Sequence, residues 1–312
     1  MKRTFLVLGF LFLALGATVF AGTNLDEALA LFSTDADVMV HYDTAGQVTL
    51  EAAIDAFKDA LGVTASFDEM NEDAYSALEI SLEKKDLVNK LSQCYYTLGD
   101  VFLRGQDSAE TIFVKGQYWG LTSLRMNPDF VTEEKRHGFI EAVSQETDVA
   151  ALYWTYANWA RKDEIDKLGA IARNDPPKLL ALAEQALAVD ETYIAYGSYR
   201  SLAAFWGGLP PFPLITFGQN LPRALSYICS VVYEPDYCVD CPECPYDQDC
   251  NAYFENRLIF TEYYLMEKGL WEKAARILQS ILDDPIGEPY PLYNALCQEL
   301  AANLLEEVQE HL

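Results

Sequence analysis

The sequence predicts an all-α protein in which helix pairs stack one after another, an α-solenoid. Apolar residues recur at offsets of three and four along most of the chain, and the alternating pattern of strands is scarce. Small residues, Gly197, Ala203 and Gly207 among them, lie where two helix backbones would approach closely. Several helices end at an acidic residue, often with a proline that prevents continuation.

The amino-acid composition indicates a folded protein and limits the kinds of partner that it can bind. Hydrophobic residues make up 51% of the 312 residues, which indicates a folded chain with a substantial core. The formal net charge of -26 produces a surface that repels nucleic acids and anionic membranes, so nucleic-acid binding is excluded. Such a surface favours basic partners or cations, or serves solubility alone.

The N-terminus predicts a secretory signal peptide over 1–21. Lys2 and Arg3 precede an apolar run over 5–18, and a small residue, Ala21, stands at the expected cleavage point. The run is short for a membrane span and no second long apolar segment follows, so no retained transmembrane helix is expected. No cysteine lies near the cleavage point, so no lipid anchor is expected. The predicted location is periplasmic or secreted.

The first helices follow from their apolar stripes and their stops. The predicted helices span 26–32, 49–61, 71–104 as one or two helices, and 109–126. Gly62 and Gly105 are the expected stops, because glycine readily takes the left-handed conformation that closes a helix.

Later helix ends define larger units. Ends are predicted at Asn127-Pro128, Asp190, Pro235 and Pro285. They lie about 45 to 65 residues apart, whereas tetratricopeptide repeats have a period of 34. The sequence therefore predicts one domain over 22–312 built from degenerate tetratricopeptide-like pairs with insertions. An irregular helical bundle is the alternative.

Two aromatic-rich helices, over 150–160 and 195–206, suggest a cleft lined by rings. A guanidinium among aromatic side chains would clamp a carboxylate of a ligand or protein. The alternatives are ordinary core packing and a structural salt bridge. The candidate ligand-binding residues are Tyr153, Trp154, Trp159, Tyr199, Arg200, Phe205 and Trp206.

Cysteines cluster in a loop over 238–250. The candidates for disulfides are Cys238, Cys241, Cys244 and Cys250 in that loop, together with Cys229 and Cys297 as a pair in the helical body. Disulfides suit an exported chain, whereas the fourth spacing does not suit an iron-sulfur cluster. Zinc is the alternative for the loop, and three pairings of its cysteines are open. Cys94 is expected to be free and buried, and no cofactor is expected.

No catalytic motif stands out. The three histidines, His41, His137 and His311, have no neighbouring motif that would make them bases or ligands. The sequence has no Gly-x-Ser-x-Gly elbow, no His-Glu-x-x-His pair and no phosphate-binding glycine loop. We expect a protein that is not an enzyme, although acidic pairs are too common to exclude an unrecognised acid-base site.

Four segments carry a family resemblance. The stretches 150–160, 196–206 and 217–225, followed by Glu262-Tyr263-Tyr264, resemble in order the T-component of tripartite ATP-independent periplasmic (TRAP) transporters. The chain departs from that family at Gly218-Gln219-Asn220, where Gly-Gly-Asp is frequent, and it lacks the lipidated cysteine of many members.

The resemblance implies a non-catalytic, self-associating helical protein of the periplasm. It would bind a small apolar or carboxylate solute and dock the extracytoplasmic solute-binding protein of the transporter. Two alternatives are a tetratricopeptide-like scaffold for envelope assembly, whose concave face grips a peptide, and a periplasmic enzyme with an unrecognised site.

Overall fold

The computed structural model describes residues 25–32, 37–63, 72–211, 218–232, 251–287 and 289–312. These residues form fifteen α-helices and no strand beyond one isolated bridge between Phe32 and Val38, which confirms the all-α prediction. The predicted signal peptide over 1–21 and the cysteine-rich loop over 238–250 lie outside the described residues.

The N-terminal helices largely match their predicted positions. They are α1 (Leu25–Leu29), α2 (Thr44–Leu61), α3 (Glu72–Ser76), α4 (Lys85–Thr97) and α5 (Ala109–Arg125). Gly62 ends α2 with a φ of 76°, which confirms the predicted glycine stop. The predicted 71–104 helix is divided into α3, a short 3₁₀ turn, α4 and a π-helical turn, Leu98–Phe102.

The middle helices begin at a proline stop. They are α6 (Pro128–His137), α7 (Phe139–Val143), α8 (Val149–Ile165), α9 (Lys167–Ala172) and α10 (Pro176–Val189). The Asn127 side chain accepts hydrogen bonds from the N–H groups of Asp129 and Phe130 at 2.9 and 3.4 Å, so it caps α6. The predicted boundaries at Asn127-Pro128 and Asp190 are therefore confirmed.

The last helices complete the fold. They are α11 (Tyr193–Gly208), α12 (Leu221–Ile228), α13 (Phe254–Phe260), α14 (Trp271–Asp283) and α15 (Pro291–Gln309). A second π-helical turn, Thr261–Met266, continues α13 directly. The end of α14 confirms the predicted stop before Pro285.

Neighbouring helices pack in a progression compatible with a solenoid. Helix α5 packs between α4 and α8, α8 packs on α10, and α10 packs on α11. The last helix departs from an open stack, because Tyr293 and Leu296 of α15 join the buried cluster of α2 and α4. The Tyr293 and Thr97 hydroxyls lie 2.8 Å apart, and α15 therefore connects the two ends of the described chain.

Small residues make the predicted close approaches. A Cβ added at Gly197 would lie 2.6 Å from the Tyr153 ring, and one at Gly207 would lie 2.3 Å from the carbonyl oxygen of Tyr263. Glycine is therefore required for α11 to pack on α8 and on the second π-helical turn.

Two cysteine predictions have opposite outcomes. Cys94 is a free, buried thiol, as predicted. The predicted disulfide between Cys229 and Cys297 is wrong, because the thiol of Cys297 is free. Cys297 lies on the buried face of α15, where it packs as a small apolar side chain and lines a cavity.

The described helices do not include a candidate membrane span. Within the described ranges, none of them combines the length and the apolar character that crossing a bilayer requires.

Candidate functional site

Two π-helical turns contribute side chains to one cavity of about 170 Å³. Leu98–Phe102 supplies Asp100, and Thr261–Met266 supplies Glu262 and Tyr263. A π-helical turn accommodates one extra residue in a helix, which redirects the side chains, and such turns occur frequently at functional sites. The shared cavity is therefore the candidate functional site.

The cavity has a charged part and an apolar part. The charged side chains are Asp100, Arg104, Arg161, Glu164, Glu255 and Glu262. The apolar side chains are Leu258 and Ile259 of α13 and Leu296 and Leu300 of α15. A site of this kind suits a ligand with one polar group and a small apolar body.

Asp100 is neutralised by two guanidinium groups. Its Oδ1 atom accepts from Arg104 Nη2 at 2.6 Å and from Arg161 Nε at 2.9 Å. Burial by itself would raise the pKa of Asp100, which is 3% exposed, but the charges of Arg104 and Arg161 lower it below its ordinary value. Asp100 is therefore an ionised, fully paired carboxylate.

Arg161 also pairs with Glu164 of its own helix α8, and Glu164 in turn contacts the second π-helical turn. Its Nη1 atom donates to Glu164 Oε2 at 2.7 Å, and the Tyr263 hydroxyl donates to Glu164 Oε1 at 2.9 Å. Burial opposes ionisation of Glu164, but the charge and the hydrogen bond of Arg161 outweigh it and lower the pKa. Both oxygens of Glu164 are therefore occupied.

Arg200 forms a further ion pair beside the cavity. Its Nε donates to Glu255 Oε2 at 3.0 Å, and its Nη1 donates to Asn256 Oδ1 at 3.0 Å. Its two terminal nitrogens also donate to the carbonyl oxygens of Ile194, at 2.9 Å, and Ala195. The guanidinium is 3% exposed and occupied by protein acceptors, which favours the structural ion pair over the ligand clamp.

The carbonyl groups that Arg200 binds belong to a left-handed turn at the start of α11. Ile194, Ala195 and Tyr196 have φ values of 50°, 48° and 64°. This conformation is unfavourable for residues with a Cβ, at about 1–2 kcal/mol each. Arg200 therefore stabilises a strained segment as well as the charge of Glu255.

Glu262 differs from the other carboxyl groups of the cavity. It has no hydrogen-bond or ion-pair partner among the described residues. Burial raises its pKa, the nearby Glu164 charge raises it further, and Arg161 offsets only part of the effect. Glu262 is therefore an acceptor that the protein itself leaves unoccupied.

A second cavity, of about 540 Å³, adjoins the first. Both are lined by Asp100, Arg104, Arg161 and Glu164, and the second extends along the start of α5 to Phe113. The ion pairs of Arg161 therefore form a wall common to the two cavities.

The residues predicted to bind a ligand from α8 lie mostly in the interior. The Trp154 indole donates to the Tyr193 hydroxyl at 2.8 Å, and the Tyr153 ring packs edge-on against Trp154 at 4.9 Å. Trp159 packs against the ammonium groups of Lys162 and Lys178 at 5.4 and 5.3 Å. All three predicted side chains are at most 8% exposed.

The residues predicted on α11 also have protein partners. Tyr199 donates to Glu191 Oε2 at 2.8 Å, and the rings of Phe205 and Trp206 pack edge-on at 5.2 Å. Neither of these two cavities is lined by any of the seven predicted residues. The fold brings Tyr153 and Arg200 close to each other, with Tyr193 and α13 beside them. The ligand-binding role of the seven residues stays a prediction.

Sequence reasoning did not identify the cavity residues. Arg161 carried a signal, because a guanidinium on an aromatic helix needs a partner, but its partners were not predictable. Asp100 and Glu262 are two of 48 acidic residues, and nothing in their spacing distinguishes them. Within the described ranges, no group of three or more acidic, histidine or cysteine side chains is arranged to hold a metal ion.

No protein-family model matches the chain, and no curated protein sequence matches it. The resemblance to TRAP T-components therefore stays a prediction.

Proposed function

We propose that the protein is a non-catalytic binding protein whose ligand occupies the cavity between the two π-helical turns. The observation that carries this proposal is the unoccupied Glu262 carboxyl in a cavity whose other charges are paired and whose lining includes the apolar side chains of α13 and α15. Binding pockets combine an apolar lining with a few polar groups in the same way.

The pairing of the carboxylates supports binding rather than catalysis. General acid-base chemistry needs a group whose proton can be transferred near neutral pH, and hydrolysis commonly uses two such carboxyls. Asp100 and Glu164 have lowered pKa values and are held by Arg161, so neither is suited to that role.

We further propose that this binding serves a TRAP-type transporter. The resemblance of the segments over 150–160 and 196–206 supports that role, together with a periplasmic location, self-association and docking of the extracytoplasmic solute-binding protein. The net charge of -26 would favour a docking partner with a basic face.

The proposed binding role of the cavity is tested by filling the cavity with a larger side chain. Leu300→Trp places a larger side chain at the apolar part of the cavity, and Leu168→Trp is the matched control on α9, where Leu168 is 81% exposed. Each protein is purified from its native envelope and denatured, and the released small molecules are identified by mass spectrometry. We expect the wild type and the control, but not Leu300→Trp, to release the same compound. Absence of any bound compound from all three proteins would contradict the proposal.

The transporter role has a separate test. Tagged protein is isolated from native envelope extract, and the proteins that accompany it are identified by mass spectrometry. Recovery of an extracytoplasmic solute-binding protein is the expected result. Recovery of assembly or secretion factors instead would favour the scaffold alternative, and sedimentation as a monomer at micromolar concentration would contradict self-association.

A further inference from the structure

We propose that the ligand of the cavity is a small organic cation, a protonated amine on a short apolar body, whose ammonium group binds the Glu262 carboxylate. This inference rests on the proposed function of the cavity. Three observations carry it. The site holds one carboxyl group more than it holds guanidinium groups, the other carboxylates are already paired with protein cations, and part of the lining is apolar.

The charge balance leaves one carboxyl in excess. Among the described residues, the cavity and its ion pairs hold four carboxyl groups and three guanidinium groups. The guanidinium groups belong to Arg104, Arg161 and Arg200. A fourth cation would therefore neutralise the site.

The pairing identifies Glu262 as the carboxyl in excess. Asp100 accepts from Arg104 and Arg161, and Glu164 accepts from Arg161 and Tyr263. Glu255 accepts from Arg200 through Oε2. Each of these three carboxylates has a protein cation within 3.0 Å, whereas Glu262 has neither a cation at ion-pair distance nor a hydrogen-bond donor within the described structure.

The same balance disfavours an anionic ligand. A carboxylate would enter a site that already holds more carboxyl than guanidinium groups, and the arginines that line the cavity, Arg104 and Arg161, are already paired with protein carboxylates. Specificity arises in this way when a pocket places an uncompensated charge against the wrong ligand. A protonated amine instead supplies up to three N–H donors to the free oxygens of Glu262.

The apolar part of the cavity limits the rest of the ligand. Leu258, Ile259, Leu296 and Leu300 present hydrocarbon surface beside the charged part. A volume of about 170 Å³ is below the range of drug-sized sites, so the body attached to the amine is a short alkyl chain or a small ring.

Desolvation of Glu262 adds to the selectivity. Burial raises the pKa of the empty carboxyl, and an ammonium group in contact would lower it again. An ammonium group in contact would therefore favour the ionised form of Glu262, which a neutral ligand of the same shape would not do.

The test compares three probes of the same size. The full mature protein, freed of bound compounds by unfolding and refolding, is titrated calorimetrically with n-butylamine, n-butanol and butyrate. We expect n-butylamine to bind at least about tenfold more tightly than the other two, because charge-assisted hydrogen bonds contribute about 1.5–3 kcal/mol.

Two matched variants assign the effect to one carboxyl. Glu262→Gln keeps the shape and removes the charge, and it should weaken n-butylamine binding by about tenfold to a hundredfold. Glu272→Gln, at an exposed position on α14, should bind as the wild type does. Circular dichroism confirms that both variants are folded.

The outcomes separate this inference from the proposed function. Equal affinity for n-butanol, preference for butyrate, or unchanged n-butylamine binding by Glu262→Gln would each overturn the amine assignment. The cavity would still be a binding site if Leu300→Trp abolished the tightest of the three interactions or the release of the native compound. Binding of no probe, together with no released compound, would overturn both.

Discussion

The two π-helical turns place carboxyl groups in the same cavity, yet the two groups have opposite electrostatic states. Asp100 of the first turn accepts from two guanidinium groups, and its pKa is lowered. Glu262 of the second turn has no partner within the described structure, and its pKa is raised. Burial acts to raise the pKa of both carboxyls, of the buried Asp100 and of the half-buried Glu262, and the ion pairs of Asp100 reverse that effect.

The largest expected effect comes from removing the paired carboxylate. Asp100→Asn leaves Arg161 and Arg104 without their common counter-ion, and breaking a buried ion pair is expected to lower the free energy of unfolding by about 3 kcal/mol. Urea denaturation measures this loss in the free energy of unfolding. The control is Glu184→Gln, because Glu184 and its partner Arg223 are 46% and 40% exposed, and it should change stability by no more than about 0.5 kcal/mol. Equal effects of the two changes would contradict the paired state of Asp100.

The second turn depends on a close approach of α11. Gly207→Ala would place a Cβ 2.3 Å from the Tyr263 carbonyl oxygen, and the resulting overpacking should lower the free energy of unfolding by about 1–3 kcal/mol. Gly287→Ala is the control, because its nearest neighbour would be 3.5 Å away. Thermal denaturation of both variants measures the difference, and a stable Gly207→Ala protein would show that the second turn can shift.

The unpaired carboxyl should contribute little to folding. Glu262→Gln removes a desolvated charge without leaving a partner exposed, so we expect a change in the free energy of unfolding of less than about 0.5 kcal/mol at neutral pH, or a gain. Chemical denaturation of Glu262→Gln and Asp100→Asn under the same conditions measures this change in the free energy of unfolding. A loss as large as that of Asp100→Asn would mean that Glu262 holds the fold together rather than being available to a ligand.

The smallest expected effect is the pH dependence of the stability of Glu262→Gln. A raised pKa means that folded Glu262 keeps its proton where the unfolded chain has lost it, so its contribution to stability falls as pH rises through this window. The charges that act on it are Arg161, Arg104, Glu164 and Glu307. We expect Glu262→Gln to gain stability relative to the wild type as pH rises above the ordinary glutamate range. Asp100→Asn should show the opposite slope, because the stabilisation by ionised Asp100 is present above the ordinary aspartate range and is lost as pH falls.

The sequence by itself determined the features that depend on near neighbours in the chain. The apolar stripe before Gly62 and the proline stop at Asn127-Pro128 specify where helices end, because capping and backbone conformation act over a few residues. Gly197 and Gly207 also indicated close approach, because only the smallest side chain permits it.

Only the tertiary structure decided which charges are paired. The ion pair of Arg200 joins residues 55 positions apart, and that of Arg161 joins α8 to the π-helical turn after α4. Closure of α15 on the N-terminal helices likewise brings Tyr293 to Thr97, 196 positions away. Coulombic energy and desolvation depend on distance in space, so the availability of Glu262 among 48 acidic residues follows from the packed fold and not from their spacing in the chain.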